Sequence, residues 1–260
     1  MAAAAGVPRL HSRAGAADPY PPLDSPVAGA AKCGMAEKIA GVVFDAYGTL
    51  FDVYAVEARL ETLFPGKGRA IALRWREKQI DYTRLRTLSD RYIDFWTITV
   101  DALDYACEAE QATLDSGRRG ELLAFYERLP AHPEVPAVLR GLRAHGLPLG
   151  VLSNANETML ERALAAAGIR DLFAHVLSVE RVRKFKTAPE AYQLAPDAFG
   201  ARAQNLVFVS SNGWDASGAA WFGYRAFWIN RAGAPLERLG VAPAGIGRSM
   251  EDLAGFLGCD

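Results

Sequence analysis

Five short apolar segments along the chain have the length of β-strands, and turn-forming or polar residues bound each of them. They are IAGVVF (39–44), LPLGVLS (147–153), HVLSV (175–179), NLVFVS (205–210) and RAFWIN (225–230). Strands that are apolar along their whole length are typically buried on both faces, as in a parallel sheet covered by helices. The pattern therefore predicts a buried, parallel sheet.

Helical patterns separate the later strands. Residues 136–146, 156–168 and 188–200 each end in glycine, as helices often do. A short helix is predicted at 215–223, and an S-x-x-D capping box predicts a last helix at 249–258. Strands that alternate with helices indicate an α/β fold with a doubly wound, mostly parallel sheet.

Residues 53–132 interrupt this alternation. They contain no strand-like segment and show four or five amphipathic helical patterns, including GRAIALRWREKQIDYTRLRTLSDRY. An insertion of this size predicts a helical cap domain over the carboxyl ends of the strands, where open α/β sheets bind ligands. The predicted core domain then comprises residues 37–52 and 133–260.

The first 36 residues differ in composition from the rest. They are rich in Ala, Gly and Pro, with no periodic apolar face and no continuous apolar segment like that of a secretory signal. The opening is weakly similar to an organelle transit peptide, but Asp18 and Asp24 argue against that interpretation. We interpret residues 1–36 as a disordered extension or the product of an upstream start site, with Met35 as the alternative start.

Composition narrows the functional classes. The chain has 260 residues, is 50% hydrophobic and has a net charge of −1, which does not favour bulk electrostatic binding of nucleic acid. No apolar segment approaches the length of a membrane span. Cys33, Cys107 and Cys259 are scattered, which argues against a disulfide framework or a zinc site and favours a reducing cytoplasm.

The first strand ends in the sequence VVFDAYGTLFD, residues 42–52. In a doubly wound sheet, the loop after this strand lies in the ligand crevice. An aspartate such as Asp45 is also common as a turn or helix cap. An apolar strand followed by D-x-x-G-T and an apolar pair is, however, more specific than a cap requires, so Asp45 is the first candidate catalytic residue.

The order and spacing of VVFDAYGTLFDV, LSNAN, Lys186 and FVSSNGWDASGA resemble those of the haloacid dehalogenase (HAD) superfamily. Together with WREKQIDYTRLR in the insertion, they make residues 39 to about 232 similar to the type II L-2-haloacid dehalogenases. The resemblance implies a HAD-like core with a helical cap, and a small-molecule substrate, a short-chain L-2-halo acid. It also implies a homodimer that pairs through the helical insertion.

Two positions distinguish the chain from the superfamily's phosphatases. Those enzymes carry a second aspartate two residues after the first, where it protonates the leaving alkoxide; here Tyr47 occupies that position. A halide needs no such acid, because it is the anion of a strong acid. The late motif SSNGWD holds only Asp215, whereas phosphatases have an acidic loop there for Mg²⁺. We therefore expect no metal and no other cofactor.

The resemblance implies that Asp45 attacks C2 of the substrate, expels halide and forms a covalent ester, which water then hydrolyses. Inversion at C2 would convert an L-2-halo acid into a D-2-hydroxy acid. Lys186 would keep Asp45 ionised, with Arg183 and Lys184 as rival candidates. The family usually has proline after this lysine, whereas here Thr187 follows it.

By the same resemblance, Ser153 and nearby backbone amides bind the substrate carboxylate, although Ser153 and Asn154 are also compatible with a helix N-cap. Arg76 would meet the departing halide, a role that suits a guanidinium group. The alternative for Arg76 is a solvated helix face shared with Arg74 and Lys78.

The remaining candidates fall into two groups. Tyr192 keeps the family's spacing from Lys186, and the residues expected to orient Asp45 or the hydrolytic water are Thr49, Ser210, Asn212 and Asp215. Asp215 is also compatible with the N-cap of the helix predicted at 215–223. Substrate-pocket walls are assigned to Tyr47, Ile80, Phe95 and Trp214, with core packing as the alternative for each aromatic. Asn154 is a further substrate-binding candidate.

Three other functions stay open at this point. The first is a phosphatase of the same fold. The second keeps the Asp45 ester but uses another leaving group, such as fluoride or a strained-ring amine. The third is a binding or regulatory protein that has lost catalysis.

Overall fold

The computed structural model describes residues 39–259. The expectations for residues 1–36 fall outside this range. All five predicted strands are present, at Gly41–Phe44 (β1), Leu149–Ser153 (β2), His175–Ser178 (β3), Leu206–Ser210 (β4) and Arg225–Ile229 (β5). A short sixth strand, Gly245–Gly247 (β6), was not predicted, because three residues with two glycines carry no strand pattern.

The six strands form one sheet in the order β3-β2-β1-β4-β5-β6, and every neighbouring pair is parallel. The chain passes from β1 to β2 and β3 on one side, and β4 then returns to the other side of β1. The strand order therefore reverses at β1, the place where open α/β sheets bind ligands. The predicted α/β fold with a parallel sheet is confirmed.

Nine α-helices are described within residues 39–259. Four of them lie in the insertion, at Glu57–Leu63 (α1), Gly68–Leu88 (α2), Phe95–Ala109 (α3) and Ser116–Tyr126 (α4). The other five accompany the sheet, at Val135–Ala144 (α5), Glu157–Ala166 (α6), Pro189–Phe199 (α7), Gly213–Phe222 (α8) and Asp252–Leu257 (α9). None of the nine is both long and apolar enough to cross a lipid bilayer.

Two predicted helix starts are wrong. Helix α8 begins two residues before Asp215, so Asp215 lies inside the first turn and is not its N-cap. Helix α9 begins at Asp252, because the capping box is incomplete. The Asp252 carboxylate accepts from the amide of Ser249 at 3.1 Å, but the Ser249 hydroxyl accepts from Glu251 and not from Asp252.

The sheet places three strand ends side by side. Phe44 at the end of β1 is in register with Val151 of β2 and Val209 of β4, and all three are buried. The residues that follow these strands therefore emerge together at one edge of the sheet. These are the positions at which the sequence places Asp45, Ser153 and Ser210.

Candidate active site

Asp45 stands at the start of a tight turn that β4 holds in place. Its backbone N–H donates to the carbonyl oxygen of Val209 at 2.9 Å. Within the turn, the carbonyl oxygen of Ala46 accepts from the amides of Thr49 and Leu50. Gly48 has a φ of 97°, which side-chain-bearing residues rarely adopt. The turn thus fixes the backbone on both sides of the Asp45 side chain.

Three side chains donate to the Asp45 carboxylate, which is nearly buried. Oδ2 accepts from the Thr49 hydroxyl at 2.8 Å and from Nδ2 of Asn212 at 2.9 Å, and Oδ1 is 3.1 Å from Nζ of Lys186. The Thr49 hydroxyl oxygen in turn accepts from the amide of Ser211 at 2.8 Å. This second bond fixes the direction of the Thr49 hydroxyl, so the carboxylate is held in one orientation.

Lys186 is 1% exposed and bridges two carboxylates. Its ammonium nitrogen is also 3.1 Å from Oδ2 of Asp215 and 4.8 Å from the ring centroid of Phe208. The peptide bond between Lys186 and Thr187 is cis. The rival Lys184 instead pairs with the exposed Asp90 at 2.8 Å, outside the site. Of the two lysines, only Lys186 contacts Asp45.

Asp215 lies behind Lys186 and is fully buried. Its Oδ1 accepts from the hydroxyl of Tyr192 at 2.7 Å, and the hydroxyl of Tyr224 holds the Tyr192 backbone carbonyl at 2.6 Å. Burial raises the pKa of Asp215 and repulsion by the Asp45 carboxylate adds to this, while Lys186 opposes both. Asp215 is therefore a carboxylate of increased basicity, and the Lys186 ammonium group lies between it and Asp45.

A small chamber, partly open to solvent, lies in front of Asp45; the space between its walls is about 320 Å³ with the open part included. Core and insertion both contribute to its walls. The predicted site residues that line it are Asp45, Tyr47, Arg76, Ile80, Phe95, Ser153, Asn154, Asn212 and Trp214. The structure therefore brings these nine side chains together around one cavity. The other predicted site residues are outside its lining: Thr49 in the turn after Asp45, and Lys186, Tyr192, Ser210 and Asp215.

Ser153 and Asn154 do not cap helix α6, so that alternative is wrong; its N-cap is Asn156, whose side chain accepts from Met159. The Ser153 hydroxyl oxygen accepts from the amide of Ala155 at 3.1 Å. Its hydrogen is consequently the group that can donate to an anion in the chamber. The Asn154 side chain accepts from the amide of Lys186 at 2.9 Å, which ties the lysine segment to β2.

Arg76 extends from α2 to the chamber, and this rules out the solvated-face alternative for it. One guanidinium nitrogen donates to the carbonyl oxygen of Tyr47 at 3.0 Å and to Oδ1 of Asn212 at 3.2 Å. Its neighbours Arg74 and Lys78 form ion pairs with Glu110 and Asp81 on partly exposed surface. Arg76 thus places a cation at the chamber wall. The Asn212 side chain, which contacts both groups, lies between this cation and the Asp45 carboxylate.

One predicted contact differs. Ser210 was expected to hydrogen-bond to Asp45 or to water; its hydroxyl instead accepts from the amide of Asn212 at 3.1 Å. Asn212 then donates its side-chain amide to Asp45. Strand β4 ends in a turn that points the Ser210 side chain at the backbone ahead of it, so Ser210 reaches Asp45 through Asn212.

Four residues of the site were not predicted. Thr83 and Ala155 line the chamber, and Gln79 and Tyr126 form a buried polar pair beside Arg76. Gln79 and Thr83 had a usable signal, because residues three and seven positions after Arg76 share its helix face. Tyr126 had none, since it comes from another helix 50 residues further along the chain.

The residues around Asp45 differ from those of a carboxylate-rich metal centre. Across residues 39–259, no three His, Cys, Asp or Glu side chains cluster as metal ligands would. The position two residues after Asp45 is occupied by Tyr47, which is 4% exposed and stacks on Tyr126 with ring centroids 5.7 Å apart. The second ligand carboxylate of a D-x-D site is thus replaced by an aromatic wall.

Known proteins are similar to this chain in sequence and in architecture. A sequence model of the haloacid dehalogenase-like hydrolases matches residues 39–223. The chain is 44% identical to the (S)-2-haloacid dehalogenase of Pseudomonas sp. (strain YL), over 79% of this chain and 88% of that one. It is 42% identical to haloacetate dehalogenase H-2 of Moraxella sp. (strain B), over 80% and 92% of the two chains.

Solved structures of dehalogenases are also similar to this chain. The fold is similar to a crystal structure of an L-2-haloacid dehalogenase with a TM-score of 0.84 and 56% identity, covering 85% of this chain and 99% of that one. It is also similar to the L-2-haloacid dehalogenase of Xanthobacter autotrophicus with chloropropionic acid covalently bound. That match has a TM-score of 0.78 and 34% identity over 84% and 98% of the two chains.

Proposed function

The chain belongs to the haloacid dehalogenase-like hydrolases, and we propose that it converts short-chain L-2-halo acids into D-2-hydroxy acids through a covalent ester on Asp45. One observation carries the proposal. A single carboxylate, bonded to Lys186 at 3.1 Å, faces a small chamber in which Tyr47 replaces the acid that a phosphatase would use. The relatives named above, a haloacetate and an (S)-2-haloacid dehalogenase, support the substrate class.

The first half-reaction is a displacement at C2. The substrate carboxylate is bound by the Ser153 hydroxyl and neighbouring backbone amides, which directs C2 towards Asp45. One carboxylate oxygen forms a bond to C2 as the carbon–halogen bond breaks, and the electron pair leaves with the halide. Arg76 at the chamber wall receives the new anion, because a guanidinium offers both charge and N–H donors in a site with little water.

The second half-reaction is ester hydrolysis. Once Asp45 is an uncharged ester, Lys186 retains Asp215 as its remaining carboxylate partner within 3.1 Å. Asp215, with its raised pKa, is the base that takes a proton from water as the water oxygen attacks the ester carbonyl. The bond between the ester carbonyl and the 2-oxygen then breaks, and the proton held by Asp215 passes to that oxygen. The 2-hydroxy acid leaves, and Asp45 returns to a carboxylate as the remaining water proton is released to solvent. Because water attacks the carbonyl carbon, no bond to C2 breaks in this step, and C2 keeps the inverted configuration set by the first step.

A halide-release screen tests this proposal. The halide substrates are fluoroacetate and the two enantiomers of 2-chloropropionate, each supplied with and without EDTA. Small phosphate esters are supplied in parallel, with and without Mg²⁺. We expect chloride release from the L enantiomer in the presence of EDTA, D-lactate as the product on chiral chromatography, and no phosphate release. Phosphate release that requires Mg²⁺ would establish the phosphatase alternative, and silence across all halides would overturn the dehalogenase.

The matched variants for this screen are Asp45→Asn and Asp52→Asn. Asp45→Asn removes the nucleophile without changing its shape, and we expect halide release to fall by at least about 10³-fold. The side chain of Asp52 accepts from the amide of Tyr54, a bond that asparagine can also accept, so Asp52→Asn should keep its activity. Equal loss in both variants would mean that Asp45 has no special role. Fluoride release from fluoroacetate as fast as chloride release from 2-chloropropionate would favour the alternative in which Asp45 displaces another leaving group, such as fluoride.

We also propose the finer assignments that accompany this activity. Residues 53–132 act as the cap domain over a core of residues 37–52 and 133–260, and catalysis needs no metal. A cytoplasmic homodimer is proposed from the family and from α2, on which Leu85 and Leu88 are 61% and 85% exposed. Size-exclusion chromatography with light scattering tests the dimer, and Leu88→Glu should shift it towards monomer if α2 forms the interface.

A further inference from the structure

Beside Arg76 lies a buried polar cluster that the proposed reaction does not use. The hydroxyl of Tyr126 on α4 contacts the Gln79 side-chain amide, with its oxygen 3.0 Å from Nε2 and 3.2 Å from Oε1. Nε2 of Gln79 also donates to the Thr99 hydroxyl at 3.0 Å. All three residues are 2% exposed or less. Buried polar groups in such a cluster usually have a specific role, because each must be satisfied inside the protein.

The cluster is directed at Arg76. Gln79 lies three residues after Arg76 on α2 and therefore shares its helix face. Arg76 is close enough to Tyr126 for its charge to act on the Tyr126 hydroxyl: burial raises the pKa of Tyr126, and the arginine charge opposes that rise. Tyr126 is thus a neighbour of both Gln79 and the cation.

The same tyrosine fixes the other side of Arg76. The Tyr126 ring stacks on Tyr47, with an interplanar angle of 7° and ring centroids 5.7 Å apart. The backbone carbonyl of Tyr47 accepts from Arg76 at 3.0 Å. The long and flexible Arg76 side chain is therefore held by the turn after Asp45, and Tyr126 packs against that turn, which lowers the entropy cost of keeping the arginine in place.

We propose that Tyr126 is a positioning residue for Arg76: its hydroxyl, supported by Gln79, holds the guanidinium at the place where the leaving halide arrives. This inference rests on the proposed dehalogenase function and adds to it the residue that orients the halide-binding cation. The alternative is that Tyr126, Gln79 and Thr99 merely join α2, α3 and α4. The two differ in one measurable respect, because a structural role would not depend on which halide leaves.

The test is a single-turnover measurement of halide release from L-2-chloropropionate and L-2-bromopropionate, which isolates the first half-reaction. Chloride is the poorer leaving group and depends more on the donors that receive it. Tyr126→Phe keeps the ring stack and removes the hydroxyl, and we expect the chloride rate to fall about tenfold, the value of one hydrogen bond to a charged group. The bromide rate should fall less, so the bromide-to-chloride rate ratio should rise.

A double-mutant cycle with Arg76→Lys tests whether the effect passes through Arg76. In the Arg76→Lys background, Tyr126→Phe should change the chloride rate by less than about twofold, since coupled residues are not additive. Gln79→Met should raise the bromide-to-chloride rate ratio as well. It replaces Tyr126→Phe in the test if that variant is unstable. Tyr105→Phe, which alters a tyrosine 42% exposed on α3, is the matched control and should leave the ratio unchanged.

An unchanged bromide-to-chloride ratio in both Tyr126→Phe and Gln79→Met, or full additivity with Arg76→Lys, would overturn the inference and leave a purely structural cluster. Those results still require halide release by the unmodified protein. Its absence with every 2-halo acid would instead overturn the proposed function, so the two failures are distinguishable.

Discussion

Asp45 and Asp215 share one ammonium group: Nζ of Lys186 is 3.1 Å from a carboxylate oxygen of each. The side chains of Lys186 and Asp215 are 1% and 0% exposed, so water screens this arrangement weakly. Before the reaction the site holds one buried cation for two carboxylates. Ester formation at Asp45 would leave Lys186 and Asp215 as a pair of opposite charges. This gain stabilises the ester intermediate more in the buried site than it would in an exposed one.

Lys186→Met should abolish halide release and destabilise the fold. Methionine matches the length of the lysine stem but leaves two buried carboxylates facing each other without a cation. Removing one partner of a buried ionic group costs about 3–5 kcal/mol. We expect a loss of this size in urea unfolding, together with a loss of activity.

The double variant Lys186→Met/Asp215→Asn separates the two effects. It removes one of the two carboxylates, so most of the lost stability should return while activity stays absent. If the single variant is as stable as the parent protein, the three groups do not form the buried ionic cluster described above.

Gly218→Ala should impair the reaction through Tyr192. A Cβ at position 218 would lie 2.5 Å from the Tyr192 hydroxyl and 2.7 Å from a side-chain carbon of Thr187. One of these must move, and both neighbour the Lys186–Asp215 pair. A displacement of about 1 Å in a catalytic group costs roughly 10²-fold in rate, which steady-state halide release would detect. Ester accumulation, seen as a mass increase on the intact protein, would place the defect in the second half-reaction.

Gly120→Ala is the matched control for that variant. Gly120 lies within helix α4, and a Cβ there meets no atom within 4 Å. Alanine is favoured over glycine inside a helix by about 1 kcal/mol, so this variant should be more stable and equally active. Equal rates in the two glycine variants would show that the close approach of Gly218 to Tyr192 is unimportant.

The sequence was most informative where the physical pattern is local. Apolar segments and helical periods predicted five of the six strands, and the position of Asp45 after β1 followed from the alternation of elements. The resemblance, rather than periodicity, selected Arg76 over Arg74 and Lys78. Of the three, the structure brings only Arg76 to the chamber.

Long-range packing was not accessible in the same way. Nothing in the local sequence indicates that Tyr126 stacks on Tyr47, because ring stacking between separate helices leaves no spacing pattern. The contact of Ser210 with the Asn212 backbone was likewise missed, since it depends on the turn geometry after β4. Both misses concern the support of the site; of the residues that face the chamber, Thr83 and Ala155 were also not predicted.

His132 should make the protein less stable in mild acid. Burial lowers the pKa of His132 below its usual value of 6.5, and the charge of Arg231 adds to this. Above pH 6.5 the histidine is neutral in both the folded and the unfolded chain. As the pH falls below 6.5, the unfolded chain takes up the proton first, so stability is lost towards the lower folded-state pKa.

Urea unfolding at pH 8 and pH 5 measures this loss. His132→Gln removes the titrating ring and should reduce the difference between the two pH values. His145→Gln, at an exposed position after α5, should leave the difference unchanged. A His132→Gln variant with the full pH dependence would assign the acid sensitivity to other groups.

Tyr47→Asp restores the second aspartate of a phosphatase motif, and we expect it to create no phosphatase. Tyr47 is buried against Phe51, Phe95 and Tyr126, so the substitution removes a packed ring. It also places a carboxylate two residues from Asp45 at a position where burial strongly disfavours charge, as the raised pKa of Tyr47 shows. A loss of about 3–5 kcal/mol in urea unfolding is expected from the lost aromatic ring alone.

Tyr47→Phe is the conservative counterpart. Among residues 39–259 the Tyr47 hydroxyl has no hydrogen-bond partner, so its removal leaves no group unsatisfied and should not reduce stability. Halide release should persist in Tyr47→Phe and disappear in Tyr47→Asp, without phosphate release at any Mg²⁺ concentration. Magnesium-dependent phosphate release by Tyr47→Asp would show that one residue decides between the two chemistries. The expected result means instead that the aromatic wall and the reduced acidic loop must change together, because a carboxylate at position 47 would be packed among the rings of Phe51, Phe95 and Tyr126.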